Sequence, residues 1–367
     1  MAGMRRPLEV VLDLTERCNL KCVMCYFAET DRLRFAPFDR ELAPDGNMPV
    51  AVFEQIAADL FPRAWRVALG CAAEPLIHPR FAEIVRIAGR HRVPRLWFPT
   101  NLLALTEEKA DALIDARVRT VAASIDGTTK ATYERIRAGA KWERLLEKLE
   151  MLREVRRRRQ SPLPRLRIIF TWMRSNRHEL GSLPAFAAAE GARELDVRFV
   201  SPTSGVDVSL ELLDREDPAA LNAELAATAR DAVARGIRLT SYPEFLTPAD
   251  RPPTLAGRVA RRLWLLKAGL DRPEYWRHAW HERRVGCAFP GRTYVVRPNG
   301  AVFPCLYWDR EPLGFYPADG LGRFQASATL GRIREGLGSG CPVGTCATCS
   351  QRRDALYRPF RVAPGVS

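Results

Sequence analysis

Two spacings of apolar residues alternate along the first two hundred positions of this chain. Short apolar runs at 8–14, 66–70, 95–99, 120–125, 165–172 and 195–200 predict buried strands. Between them, apolar positions recur at helical spacing over 50–60, 81–91, 130–136, 142–157 and 176–190. Pro49 opens the first of these helices, and Gly191 closes the last. Thr106 caps a further helix running to Ala116, with Glu107 and Glu108 in its first turn. Six strands, most of them followed by a helix, predict an α/β fold: a parallel sheet with helices outside.

Elsewhere the pattern weakens. The polar, proline-interrupted stretch 28–48 contains Pro37, Pro44 and Asp45-Gly46 and predicts a lid or binding loop. Residues 202–284 are irregular, with helices expected at 218–235 and 255–267. Trp264, Trp276 and Trp280 lie here and either pack the bridge between modules or line a pocket. From residue 285, two apolar runs at 293–297 and 301–303 flank Pro298-Asn299-Gly300, a hairpin signal. The expected organisation is a core over 1–205, a bridging helical segment over 206–285, a cysteine-bearing module over 286–352 and a tail over 353–367.

Nine cysteines change this picture. Cys18, Cys22 and Cys25 stand at C-x3-C-x2-C just after the first strand, Cys71 stands alone, and Cys287, Cys305, Cys341, Cys346 and Cys349 gather near the other end. Disulfide scaffolds are not laid out in two distant groups. Three thiolates on one loop can hold three irons of a 4Fe–4S cluster, which normally takes four cysteines, leaving one iron open. A structural zinc site would want four ligands, usually as two C-x2-C-type pairs. A lone cysteine such as Cys71 is ordinarily a small buried residue.

The formal charge of +14 invites a nucleic-acid partner. Arginine supplies nearly all of it, spread along the chain, and the densest run, Arg156 to Arg159, ends a helical pattern where cations suit the helix dipole. No RNA-binding module is recognisable, so charge alone carries no such partner. The first residues are too short and polar for a signal peptide, and no apolar run spans a membrane, so a cytoplasmic protein is expected.

A strand, then C-x3-C-x2-C, then repeated β–α units resembles the radical S-adenosylmethionine (SAM) superfamily, over residues 8–200. The resemblance implies a partial (β/α)6 TIM-like barrel with its chemistry at the C-terminal strand ends. It implies that SAM binds the open iron and is cleaved reductively to a 5′-deoxyadenosyl radical that abstracts a substrate hydrogen. Glu74, in Cys71-Ala72-Ala73-Glu74-Pro75, resembles the carboxylate of the Gly-Gly-Glu-Pro motif that meets the SAM ammonium, with alanines in place of both glycines. Asn101 resembles part of the Thr-Asn-Gly strand end, with Leu102 in place of the glycine. Ser124 and Asp126 belong to a stretch similar to the Ser-hydrophobic-Asp-Gly turn. Met24 and Tyr26 are implied at the adenine; Thr171 and Arg174, and more distantly Arg198, at ribose or carboxylate.

Cys287, Gly300, Cys305 and the Cys346–Cys349 pair resemble the twitch/SPASM extension, which implies a second, auxiliary 4Fe–4S cluster on Cys287, Cys305, Cys346 and Cys349 in a small C-terminal β-hairpin module. A zinc ribbon would use the same four residues, and Cys341 could replace Cys346 or Cys349 or stay free. The second cluster would handle electrons or order the substrate. A flavodoxin- or ferredoxin-type donor is implied as partner. Two substrate classes stay open: a peptide or protein side chain that is oxidised or cross-linked, and a small molecule such as an aminocyclitol alcohol undergoing dehydrogenation. A first strand at Leu8 leads us to expect no separate leader-binding domain before the barrel, which weakens the peptide reading. A non-catalytic iron–sulfur electron carrier is the alternative of another class.

Overall fold

The structure, a computed structural model, describes residues 8–28, 45–200, 207–213, 216–239, 287, 289–347 and 349. The expected helix at 255–267, the tryptophans Trp264, Trp276 and Trp280, and most of the expected lid lie outside the described residues.

The expected parallel sheet is present. Strands β1 (Leu8–Leu12), β2 (Ala64–Leu69), β3 (Arg95–Thr100), β4 (Thr120–Ser124), β5 (Arg165–Trp172) and β6 (Glu194–Phe199) lie side by side in chain order, all parallel. A two-residue β7 (Arg238–Leu239) extends the row, one strand beyond the six expected. Parallel neighbours require crossovers, and helices supply them: α1 (Val50–Leu60), α2 (Phe81–Arg90), α3 (Glu107–Asp115), α4 (Lys130–Ile136), α5 (Trp142–Arg158) and α6 (Leu183–Ala189). In α2, Phe81, Ile84, Val85, Ala88 and Ile87 form one buried stripe, as a helix covering a sheet must. The Thr106 side chain accepts from the Lys109 N–H at 3.3 Å and caps α3 as expected.

One expected helix divides. Residues 174–179 form a 3-10 turn, and α6 starts only at Leu183. Asn176 explains the break. Its Oδ1 accepts from the Met173 N–H at 2.8 Å, and its Nδ2 donates to the carbonyls of Asp126 and Thr171 at 2.9 Å each, tying the turn to two strand ends. Pro184 lacks an N–H and fits only the first turn of a new helix. Beyond it, α7 (Pro218–Ala234) is capped by Asp217, which accepts from Ala219 and Ala220.

The C-terminal hairpin joins the main sheet. Strands β8 (Thr293–Val296) and β9 (Ala301–Phe303) pair antiparallel as expected, and β10 (Gly314–Phe315) follows. The sequence pattern did not anticipate that β8 pairs parallel with β1, Val11 opposite Val295, making one ten-stranded sheet. Two further helices, α8 (Leu321–Gln325) and α9 (Ala328–Ser339), complete this part.

The two sheet faces are covered differently. Val10, Val67, Phe98, Val121, Ile168 and Phe170 belong to the large core beneath the helices. On the opposite face Val11 and Ala68 form a smaller core with Val295, Phe303, Trp308 and Ile333, and Cys305 and Cys346 pack against it. The C-terminal segment therefore covers the inner face of β1 and β2. No helix among the described residues is long and apolar enough to cross a membrane.

Candidate active site

The three-cysteine loop leaves β1 at its C-terminal end, and several other strand ends clasp it. Glu74, after β2, donates its N–H to the Arg17 carbonyl at 3.1 Å. Asn101, after β3, donates from Nδ2 to Asn19 Oδ1 at 2.8 Å and approaches Cys18 Sγ at 3.9 Å. The turn between α4 and α5 accepts the N–H of Lys21 on Ala138 (2.9 Å) and that of Val23 on Ile136 (3.0 Å). Cys25 N–H bonds back to the Cys22 carbonyl at 3.0 Å, and Leu20 anchors the loop in the core.

Cys22 is buried, and Cys18 and Cys25 are half-buried. Burial pushes the Cys18 thiol up to about 12 and the Cys22 thiol up to about 11, and the three sulfurs lie near enough to feel one another's charge. Arg137, just past α4, donates from a terminal guanidinium nitrogen to Cys22 Sγ at 3.8 Å and pairs with Asp126 Oδ2 at 2.6 Å. Burial alone would weaken the Arg137 charge, but Asp126 and then Cys22 outweigh it.

Each implied SAM contact now has a place. Glu74 is fully enclosed: Oε1 accepts from Thr100 Oγ1 (2.6 Å) and the Leu76 N–H (3.0 Å), and Oε2 from the Asn101 N–H (2.6 Å). Burial raises its carboxyl above the ordinary range. It braces the ends of β2 and β3 against each other. Asn101 is turned toward the cysteine loop, with its Oδ1 accepting from Leu103 at 3.0 Å. Ser124 ends β4, half-buried, opposite Ile169. Met24 is half-buried against the core; Tyr26 sits in a 3-10 turn.

Two of these side chains have protein partners of their own. Asp126 is wholly buried, its carboxylate paired with Arg137 and accepting the Thr171 N–H at 2.7 Å, so it supports the turn. Arg174 reaches the Leu212 carbonyl at 3.3 Å and Glu216 at 3.9 Å. It lines a cavity of about 590 Å³ with Arg177, His178, Glu224 and Asp231, which none of the other predicted site residues touches. Arg198 pairs with Asp196 at 2.9 Å.

At the other end of the chain, Cys287, Cys305, Cys346 and Cys349 line one apolar pocket together with Tyr307 and Trp308. Burial pushes the Cys305 thiol up to about 12, with Cys287 and Cys346 close enough to add to it. Cys341 is exposed and outside that pocket. Among the described residues no three cysteine, histidine or carboxylate side chains gather around a single metal-ion position. A 4Fe–4S cluster binds each cysteine through a separate iron, so its thiols need only surround the cluster. Three thiols on one loop, two of them approached by side-chain donors, fit such a group.

Sequence reasoning missed Arg137, Asp13 and Arg297. Asp13 was legible in principle: a lone carboxylate in a buried apolar run requires a partner. Arg137 carried no such signal, since it follows a helix rich in charged residues.

Residues 12–162 match the model of the radical SAM superfamily. That stretch is about two fifths of the chain. The chain is 31% identical, over 150 residues, to the tungsten-containing aldehyde ferredoxin oxidoreductase cofactor-modifying protein of Pyrococcus furiosus, covering 39% of each chain. A 27% identity over 261 residues links it with the mycofactocin maturase MftC of Mycobacterium ulcerans, covering 70% of this chain and 63% of that protein. The chain thus spans about two fifths of the first relative's length and somewhat under two thirds of the second's. Among solved structures, Streptococcus suis SuiB bound to precursor peptide SuiA superposes with a TM-score of 0.65 at 14% identity, covering 97% of this chain and 75% of that one. At that identity the likeness is one of fold.

Proposed function

We propose that this chain is a radical SAM enzyme in which Cys18, Cys22 and Cys25 hold a 4Fe–4S cluster and SAM binds beside it. The observation that carries the reading is the C-x3-C-x2-C loop at the C-terminal end of β1, gripped by residues from the neighbouring strand ends. The cluster and SAM, when bound, supply a radical able to take hydrogen from an unactivated C–H bond, chemistry no side-chain acid or base provides. The chain's own part is positioning. Glu74 fixes the ends of β2 and β3, Asn101 and Arg137 hold the cysteine loop, and Met24, Tyr26, Ser124 and Thr171 remain the candidate SAM contacts.

Cys287, Cys305, Cys346 and Cys349 would hold a second 4Fe–4S cluster, a four-thiolate site with no open iron. The substrate is a peptide or protein side chain, and the net reaction is a two-electron oxidation or cross-link. Two likenesses support this: MftC by name a maturase, and SuiB solved with its precursor peptide. The implied electron donor is a flavodoxin or ferredoxin.

Anaerobic reconstitution with iron and sulfide, followed by SAM and dithionite, tests the reading. The expected result is 5′-deoxyadenosine formation that a Cys22→Ala variant lacks, with about eight irons per chain from two four-iron clusters. No 5′-deoxyadenosine above that variant would sink the enzyme reading. About four irons with bound zinc would remove the second cluster.

A further inference from the structure

We propose that Arg137 raises the reduction potential of the cluster on Cys18, Cys22 and Cys25 by holding a fixed positive charge against the Cys22 sulfur. The inference rests on the cluster reading above. Arg137 is 8% exposed, so water screens it little. It cannot drift from the loop, because the residues on either side of it, Ile136 and Ala138, bind the backbone of Val23 and Lys21. Asp126 fixes the other side of the guanidinium at 2.6 Å, and the Asp126 carboxylate is itself held by Thr171.

The pair is not electrically silent at the cysteine. A guanidinium nitrogen of Arg137 reaches the Cys22 sulfur at 3.8 Å, whereas the Asp126 carboxylate is taken up by Arg137 and Thr171, so the positive end of the pair faces the loop. Reduction adds one electron, hence one negative charge, to a group already carrying thiolates. A fixed cation favours the reduced form, and hydrogen bonds to ligand sulfurs act in the same direction. Arg137 Nε also has no acceptor among the described residues, which leaves one donor for an added sulfur. Asn101, donating weakly toward Cys18, is a neutral counterpart on the other side of the loop.

The test is a potentiometric titration of the reconstituted full chain, followed by the EPR signals of reduced iron–sulfur groups. Iron content and circular dichroism serve as controls. In Arg137→Met and Arg137→Gln one signal should require a more negative potential. Its reduced-to-oxidised ratio at fixed potential should fall about tenfold, which is 59 mV for one electron. The other signal stays in place as an internal reference. Arg137→Lys, which keeps the charge, should fall between wild type and the neutral variants. A full iron complement with an unchanged potential in the neutral variants would overturn the proposal while leaving the cluster reading intact. Loss of fold in both neutral variants with Arg137→Lys unaltered would also overturn it, making Arg137 a framework cation only. Failure of the unmodified chain to take up iron would instead refute the cluster reading itself.

Discussion

Asp13 and Arg297, 284 positions apart in the chain, form a buried ion pair at the seam between β1 and β8. The other oxygen of Asp13 accepts the N–H groups of Cys71 and Ala72, both at 2.9 Å. One carboxylate thus fixes three segments: the end of the first strand, the loop leading to Glu74, and the C-terminal hairpin.

Breaking that pair from one side should be costly. Removing one partner of a buried pair leaves the other uncompensated and typically costs about 3–5 kcal/mol. Asp13→Ala and Arg297→Met are each expected to lower the unfolding free energy from a denaturant titration by that order. The double variant should recover part of the loss, because it leaves no lone buried charge. Single-variant losses below about 1 kcal/mol would match an exposed pair instead.

The last five cysteines should not be equivalent. Cys346→Ser and Cys287→Ser are expected to lower bound iron by about four per chain, the content of one four-iron cluster. Cys341→Ser, at an exposed site outside the shared pocket, should leave it unchanged. Iron analysis of the three reconstituted variants decides this, and equal losses in all three would contradict it.

His78 should make stability pH-dependent on the acid side. Its Nδ1 accepts the Arg80 N–H at 3.1 Å, so Nε2 carries the proton toward the Met48 carbonyl at 3.0 Å. Burial lowers its pKa, and a second ring proton would face the Arg80 N–H. The unfolded chain therefore takes up this proton first. Stability is full above the unfolded histidine value of about 6.5 and declines as pH falls from there through the lower folded value. His78→Gln should flatten that part of the stability–pH curve, and an unchanged slope would remove His78 from the account.

Gly127 is required by proximity. A Cβ there would stand 2.6 Å from the backbone nitrogen of Tyr133 and 3.0 Å from its Cα, inside α4. Backbone cannot yield as a flexible side chain does, so Gly127→Ala is expected to destabilise by about 1–3 kcal/mol, as overpacking does. A thermal melt of the variant is sufficient, and an unshifted midpoint would show that the turn can open.

The strands and most helices were legible in the sequence because each buries one periodic face. The 174–190 region was not, since apolar spacing there continues through a break made by a polar side chain, Asn176, bonding two strand ends. The cysteine loop was legible from spacing alone. Two of its supports were not: Arg137 and the turn after α4 reach it only once the strands lie side by side. Asp126 shows the same limit in reverse. Its place beside Ser124 pointed to a ligand contact and gave no sign of its pairing with Arg137. The union of β8 with β1 left no local trace either, because an apolar hairpin reads alike whether it pairs with itself or also with a distant strand.

That union orders events in time as well as in space. The outer amide and carbonyl edge of β1 is satisfied by β8, where Glu9 lies opposite Thr293 and the Asp13 N–H reaches the Val296 carbonyl at 2.9 Å. At about 5–20 residues per second, ribosomes need roughly a quarter of a minute to a minute to make the intervening chain. For that interval the first strand presents an open apolar edge, the feature that invites strand-to-strand association. Until the 293–303 hairpin emerges, the nascent chain therefore carries a strand edge that invites association.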